Sequence, residues 1–324
     1  MEILVGNLNS GRHIIFMLES IIKYHEIERR PWIMFLWAIL VSSVGVLFSI
    51  QLSYQIRMGG TTVDLTGIFS VVFTLLPSVY FLTFFIKKQE KMDEKDIIRH
   101  YRKGFWARHD RDIIIFFFYF FGLMFSYAFW AFTLPPGTFQ IQTMKVQEIR
   151  SLAGNVITGS AGGELGSFVV VLMNNMQVMV FSFIFSLLFG AGAVFIVVWN
   201  ASILGVYIGR LAESVYHIPG VSLNFLPHGI PEIGSYLLAS LSGGIISAAI
   251  IRGHKKEIIL KVFADSTKLL GVAIVYVFLG ALIETGGLLI KIVSIFIFYT
   301  IFIFMIINGI TPSKDDKMPK EARK

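Results

Sequence analysis

Residues 166–211 read GSFVVVLMNNMQVMVFSFIFSLLFGAGAVFIVVWNASILGVYIGRL. The run is apolar almost throughout. At about 1.5 Å of rise per residue, one continuous helix would measure roughly 70 Å, about twice what a hydrocarbon core some 30 Å thick requires. Near its middle stand Gly190, Ala191 and Gly192, and paired glycines mark a break more readily than a helix interior. The spacing predicts two membrane helices, 166–189 and 193–212, turning at those glycines. A re-entrant 193–212 is the alternative.

Composition agrees with a membrane solvent. Of 324 residues, 55% are hydrophobic and 15% charged, with a mean hydropathy of +0.71. Soluble domains carry about 25% charge, and a soluble surface cannot hide so large an apolar fraction. With no cysteine, the chain has no disulfide, thiolate metal site or cysteine nucleophile. The formal charge of +7 is modest, and the basic residues fall between apolar runs. That pattern signals topology and contact with the lipid bilayer; no nucleic-acid partner is expected.

Working outward from the hairpin, isolated apolar runs at 32–52, 66–86 and 113–132 are each long enough to span, and 230–251 follows on the other side. The last apolar block is interrupted by Gly286, Gly287 and Lys291, which divides it into 269–288 and 290–310. The expected fold is an all-α polytopic transmembrane bundle of eight spans. The segment KKQEKMDEKDIIRHYRKGFWARHDR, residues 87–111, holds nine Lys or Arg and belongs in the cytoplasm by the positive-inside rule. RGHKKEIILK after the sixth span and the basic tail agree, so both termini are expected inside. The connection 133–165, with only Lys145 and Arg150, falls outside as a glycine-rich linker.

Five regions follow: an amphipathic cytoplasmic segment 1–31, a three-span extension 32–132, the outer loop 133–165, a membrane core 166–288, and a last helix with tail, 289–324. In the first, Ile14, Met17, Leu18, Ile21 and Ile22 recur at helical spacing, and the charged start is unlike a cleaved signal.

The polar residues that remain inside the bilayer are the candidate site. Asn174 and Asn175 lie about 12 Å below the outer face, and Asn200 about 11 Å above the inner one. Glu284 sits toward the outer end of the seventh span. In LPHGIPEIG, residues 226–234, His228 and Glu232 flank Gly229 and Pro231. A proline in a first helical turn with an acid beside it is ordinary helix-start chemistry, which places His228 and Glu232 at the outer mouth of the sixth span. Asparagines in membrane helices commonly tie neighbouring helices together. Ionisable groups at membrane depth are expensive and often functional, so the set could equally bind a cation, relay a proton or hold a polar ligand. One histidine and two carboxylates form a conceivable metal set, but the spacing is not diagnostic, and no metal or other cofactor is expected.

The succession of an Asn pair, a glycine turn, an Asn with a nearby Gly, Pro-His-Gly-x-x-Glu and finally Ile-Glu resembles the stage II sporulation protein M family. Here the positions are Asn174 and Asn175, Gly190 and Gly192, Asn200 and Gly205, Pro227, His228, Gly229 and Glu232, then Ile283 and Glu284, within 166–288. The resemblance implies a multi-pass protein of the cell membrane that partners other envelope proteins and is not itself a hydrolase. The family member that names the group works with peptidoglycan-degrading proteins during spore formation, and homologues occur in organisms that never sporulate. The leading expectation is a non-enzymatic component of a cell-envelope membrane complex. The alternative is a transporter or channel for an ion or small polar solute. An intramembrane hydrolase using His228 and Glu232 is disfavoured, because the other six histidines lie in segments expected outside the bilayer.

Overall fold

The computed structural model describes residues 30–79 except 53 and 59, then 105–158, 164–189, 193–251 and 256–310, together with Ile27 and Gly253. The amphipathic start, most of the basic 87–111 segment, the turn glycines Gly190 and Gly192, and the tail beyond 310 lie outside the described residues.

The chain is an all-α bundle. Its helices are α1 (Ile33–Gln51), α2 (Thr66–Val79), α3 (Phe105–Thr133), α4 (Gln140–Thr158), α5 (Glu164–Phe189), α6 (Ala193–Leu211), α7 (His217–Ile251), α8 (Lys256–Thr285) and α9 (Leu288–Ile310). Among the described residues six are long and apolar enough to cross a membrane: α1, α3, α5, α6, α7 and α8. Shorter apolar helices, Thr66–Val79 and Leu288–Phe304, fall on the other two expected spans. Helix α5 ends at Phe189 and α6 begins at Ala193, on either side of the expected turn, which itself lies outside the described residues.

Three expectations are corrected, and one further element was not anticipated. Helix α7 begins at His217, thirteen residues before the expected start, and Pro227 and Pro231 lie inside it. Proline in a helix interior removes an amide donor, here those that would bond the carbonyls of Leu223 and Pro227. Such breaks are tolerated in membrane helices where neighbouring groups or a cavity take over the freed carbonyls. The supposed helix start is therefore mid-helix, and His217 is not in a loop. Helix α8 begins at Lys256, so most of the basic segment after α7 is helical, with the chain turning at Gly253 (φ +62°). The 133–165 connection is not a plain linker, for it carries a 3-10 turn, Pro136–Phe139, and then α4. Gln142, Val146 and Ile149 face inward at helical spacing, but a glutamine in the buried slot hides the pattern from a hydropathy reading. Finally, Gln55–Met58 and Thr61–Asp64 form a small antiparallel hairpin, β1 and β2, turning at Gly60 (φ +86°).

Two packed groups make up the bundle. In the first, α1, α2, α3 and α6 enclose Met34, Val71, Leu123, Tyr127 and Val198; in the second, α5, α7, α8 and α9 enclose Met179, Leu238, Leu269 and Phe298. Helix α7 contributes to both, through Ile233 and Leu237 on one face and Tyr236 and Leu238 on another. Lipid is as apolar as leucine, so close approach and hydrogen bonds decide which helices meet. Gly205 and Gly209 of α6 lie against the α3 backbone, where added Cβ atoms would stand 2.5 Å from Met124 O and 2.2 Å from Ala128 O. Gly243 brings α7 equally close to α5, 2.4 Å from Phe183 O on the same construction. Hydroxyls fasten α2 to α3: Tyr127 Oη lies 3.2 Å from Thr74 Oγ1, and Tyr119 donates to Ser78. Trp130 Nε1 donates to Ser43 of α1 over 3.0 Å.

Candidate polar cavity within the membrane bundle

The two groups do not close on each other completely. Between them lies a cavity of about 280 Å³, with Phe120 on one side and Tyr236 on the other. All six polar residues singled out from the sequence line it: Asn174 and Asn175 from α5, Asn200 from α6, His228 and Glu232 from α7, and Glu284 from α8. Val146 and Ile149 of α4 supply an apolar margin. Four membrane helices thus converge on one space.

Helix periodicity puts His228, Glu232 and Tyr236 four residues apart on one stripe of α7. Glu232 is fifteen residues from the first residue of α7 and nineteen from the last, close to the helix middle. The expected placement at the helix mouth is therefore replaced by one about 22 Å along the helix. Room for its side chain comes from α8, because a Cβ on Gly280 would lie 2.6 Å from Glu232 Cγ.

The hydrogen bonds run inward from α5. Asn174 Nδ2 donates to Asn175 Oδ1 over 3.2 Å, and Tyr236 Oη donates to the same oxygen over 2.8 Å. Both Asn175 and Tyr236 are buried. Asn200 donates one Nδ2 hydrogen to Ile196 O of its own helix at 2.8 Å, which leaves Oδ1 and the second amide hydrogen uncommitted by that bond. Glu232 lies within reach of Asn175 and Glu284, yet its Oε1 is enclosed and finds no hydrogen-bond partner. The residue as a whole is only partly covered because it lines the cavity, whereas that oxygen is sealed. Glu284, one residue from the end of α8, is exposed. Lys291 in the first turn of α9 acts electrostatically on both Glu284 and His228. His228 also packs on Phe225 with ring centres 5.8 Å apart, and Phe225 on Tyr207 at 5.5 Å.

Of the structural residues expected, Gly205 packs α6 on α3 as described, Gly229 lines the cavity, and Pro231 is a buried mid-helix residue. Sequence reasoning missed Tyr236, Tyr207, Gly280 and Lys291. The first had a signal, standing four residues beyond Glu232; Lys291 was visible only as an interruption, and Gly280 had none. Among the described residues no three His, Asp or Glu side chains group closely enough to hold a metal ion.

The fold defines a multi-pass α-helical membrane protein, and its helices enclose a cavity lined by polar residues. The family model Stage II sporulation protein M matches residues 113–286, more than half of the chain, and the protein belongs to that family. The match takes in α3 and α4 as well as the helices that carry the polar residues. No curated protein and no solved structure matches the chain.

Proposed function

We propose that the protein is a non-enzymatic transporter or channel of the cell membrane, binding an ion or small polar solute in the cavity between α5, α6, α7 and α8. One observation carries this reading: carboxylates, amides and an imidazole from four membrane helices line a single space at a break in the packing. Polar groups that serve only to fasten helices pair with each other, whereas Glu232 Oε1 stays unpaired. The prolines inside α7 support the same reading, since interrupted helices surround many transport sites. The lining holds a single histidine and no serine, threonine or lysine among the described residues, which favours binding over nucleophilic or hydrolytic chemistry. Purified protein in liposomes, assayed against a panel of ions and small solutes, is expected to conduct at least one of them, and Glu232→Gln or Glu284→Gln to abolish that flux. Wild-type protein silent across the panel overturns the proposal.

A second reading, a component of an envelope membrane complex, is favoured by family membership and by α5. Only 17% of the apolar window of α5 is buried, against 67% for α7, so α5 has most to offer another membrane protein. Affinity purification from native membranes in mild detergent tests this, and repeated recovery of the protein alone defeats it.

A further inference from the structure

We infer that the cavity is a site for a small monovalent cation, an alkali ion or a small protonated amine, bound at Glu232. This deepens the reading that the cavity binds a ligand and rests on it.

The sign of the charge follows from which atoms are already engaged. Several donors are already engaged within the protein: Tyr236 Oη gives its hydrogen to Asn175 Oδ1, and Asn174 and Asn200 each commit one amide hydrogen, to Asn175 Oδ1 and Ile196 O. What is left without any partner beside the cavity is an oxygen. Glu232 lines the cavity and its Oε1 is enclosed without a partner, and Asn200 lines the same space with an amide oxygen that can also accept. A buried acceptor left unmade costs far more than a bond gained from water, so a positive group belongs beside it.

The valence follows from the neighbours. Lys291 acts on Glu284, whereas among the described residues no cation is among the groups that act most on Glu232. Divalent ions gather several hard anionic oxygens, and no three acidic or imidazole groups assemble here among the described residues. One uncompensated carboxylate with amide oxygen matches one positive charge. The volume of about 280 Å³ exceeds a bare ion. Tyr207 and Phe225 at the wall supply aromatic rings, a surrounding that suits an ammonium as well as a hydrated alkali ion. The rival arrangement is that Glu232 and Glu284, in mutual reach, share one proton and need no ion.

The test uses full-length protein in lipid nanodiscs at constant ionic strength. Sodium, potassium and methylammonium are titrated separately while thermal unfolding and binding heat are recorded. The expected result is a saturable rise in unfolding temperature with at least one of the three, its identity separating alkali ion from amine. Glu232→Gln is expected to weaken that binding at least tenfold and Asn200→Ala a few-fold, both variants eluting as folded protein. If Glu232→Gln does not fold, Glu232→Asp, which retracts the charge by one methylene, is expected to weaken binding in the same way. No saturable response from wild type to any of the three overturns the inference in favour of the shared proton. So does a response that survives unchanged in Glu232→Gln, which marks a general salt effect. Cation binding without flux leaves this inference standing and removes transport, whereas flux of a neutral solute without cation binding does the reverse.

Discussion

Gly209→Ala tests whether α6 is held on α3 by backbone proximity. The new methyl carbon would lie 2.2 Å from Ala128 O and 3.0 Å from both Ala128 C and Ala131 Cβ, where ordinary contact begins at 3.4 Å. None of these atoms is the end of a flexible side chain, so the helices must part by about 1 Å, and contact is lost along their whole shared length. Overpacking of this kind costs about 1–3 kcal/mol, offset by up to about 1 kcal/mol because alanine favours helix over glycine. The net expectation is about 1–2 kcal/mol destabilising. At about 2.1 cal/mol/K of unfolding entropy per residue, a chain of 324 residues shifts by about 1.5 °C per kcal/mol, so the unfolding temperature falls by about 1.5–3 °C. Gly271→Ala in α8 is the control, for a Cβ there meets nothing within 4 Å, and it should be neutral or slightly stabilising. The assay is thermal unfolding in detergent followed by intrinsic fluorescence. Because Gly205 faces the same helix one turn away, adding Gly205→Ala should cost less than it does alone, the helices having already separated. If Gly209→Ala unfolds at or above the wild-type temperature and tracks Gly271→Ala, the glycines do not set the α3–α6 contact.

Other consequences can be checked on the same protein. Tyr236→Phe removes the donor to Asn175 Oδ1, and a double-mutant cycle with Asn175→Leu in denaturant unfolding should give a coupling of about 0.5–1.5 kcal/mol; additive effects would refute the bond. Gly280→Ala should push Glu232 aside and weaken cation binding more than it lowers the unfolding temperature, the opposite ranking to Gly209→Ala. Gln142 Nε2 donates to Gly67 O at 2.9 Å and ties α4 to α2, so Gln142→Leu should speed maleimide labelling of a cysteine placed at Val146, readily scored because the chain has no native cysteine. Cysteines replacing Tyr216, which is 92% exposed, and Glu284 should be labelled from the same membrane face by an impermeant reagent; labelling from opposite faces contradicts the helix order that brings α6, α7 and α8 to one cavity.

Most of the membrane architecture was legible in the chain itself. Apolar length is a direct physical signal, because a helix in lipid must be apolar along the whole thickness it crosses. The expected segments coincide with helices to within a few residues for α1, α5, α6 and α9. Rarity in lipid was equally direct. Polar residues stand out there, and so Asn174, Asn175, Asn200, His228, Glu232 and Glu284 could be named without coordinates. The same logic failed where a local cue had two readings. Pro231 beside an acid looks like a helix start, but continuity of α7 is decided by its burial between two packed groups. Helix α4 was missed because the residue in its buried slot is a glutamine, whose place is fixed by Gly67 and Ser202 across the fold.

What the amino-acid order determined alone was the solvent and the helical repeat: which stretches must lie in hydrocarbon, and which side chains are out of place there. Tertiary structure decided which of those side chains meet. Glycines at 205, 209, 243 and 280 set helix separations through contacts with residues distant in the chain, and those separations leave a space in one place and close it elsewhere. A carboxylate oxygen becomes a candidate site only when no neighbour's hydrogen reaches it, as at Glu232 Oε1, and that depends on positions in space.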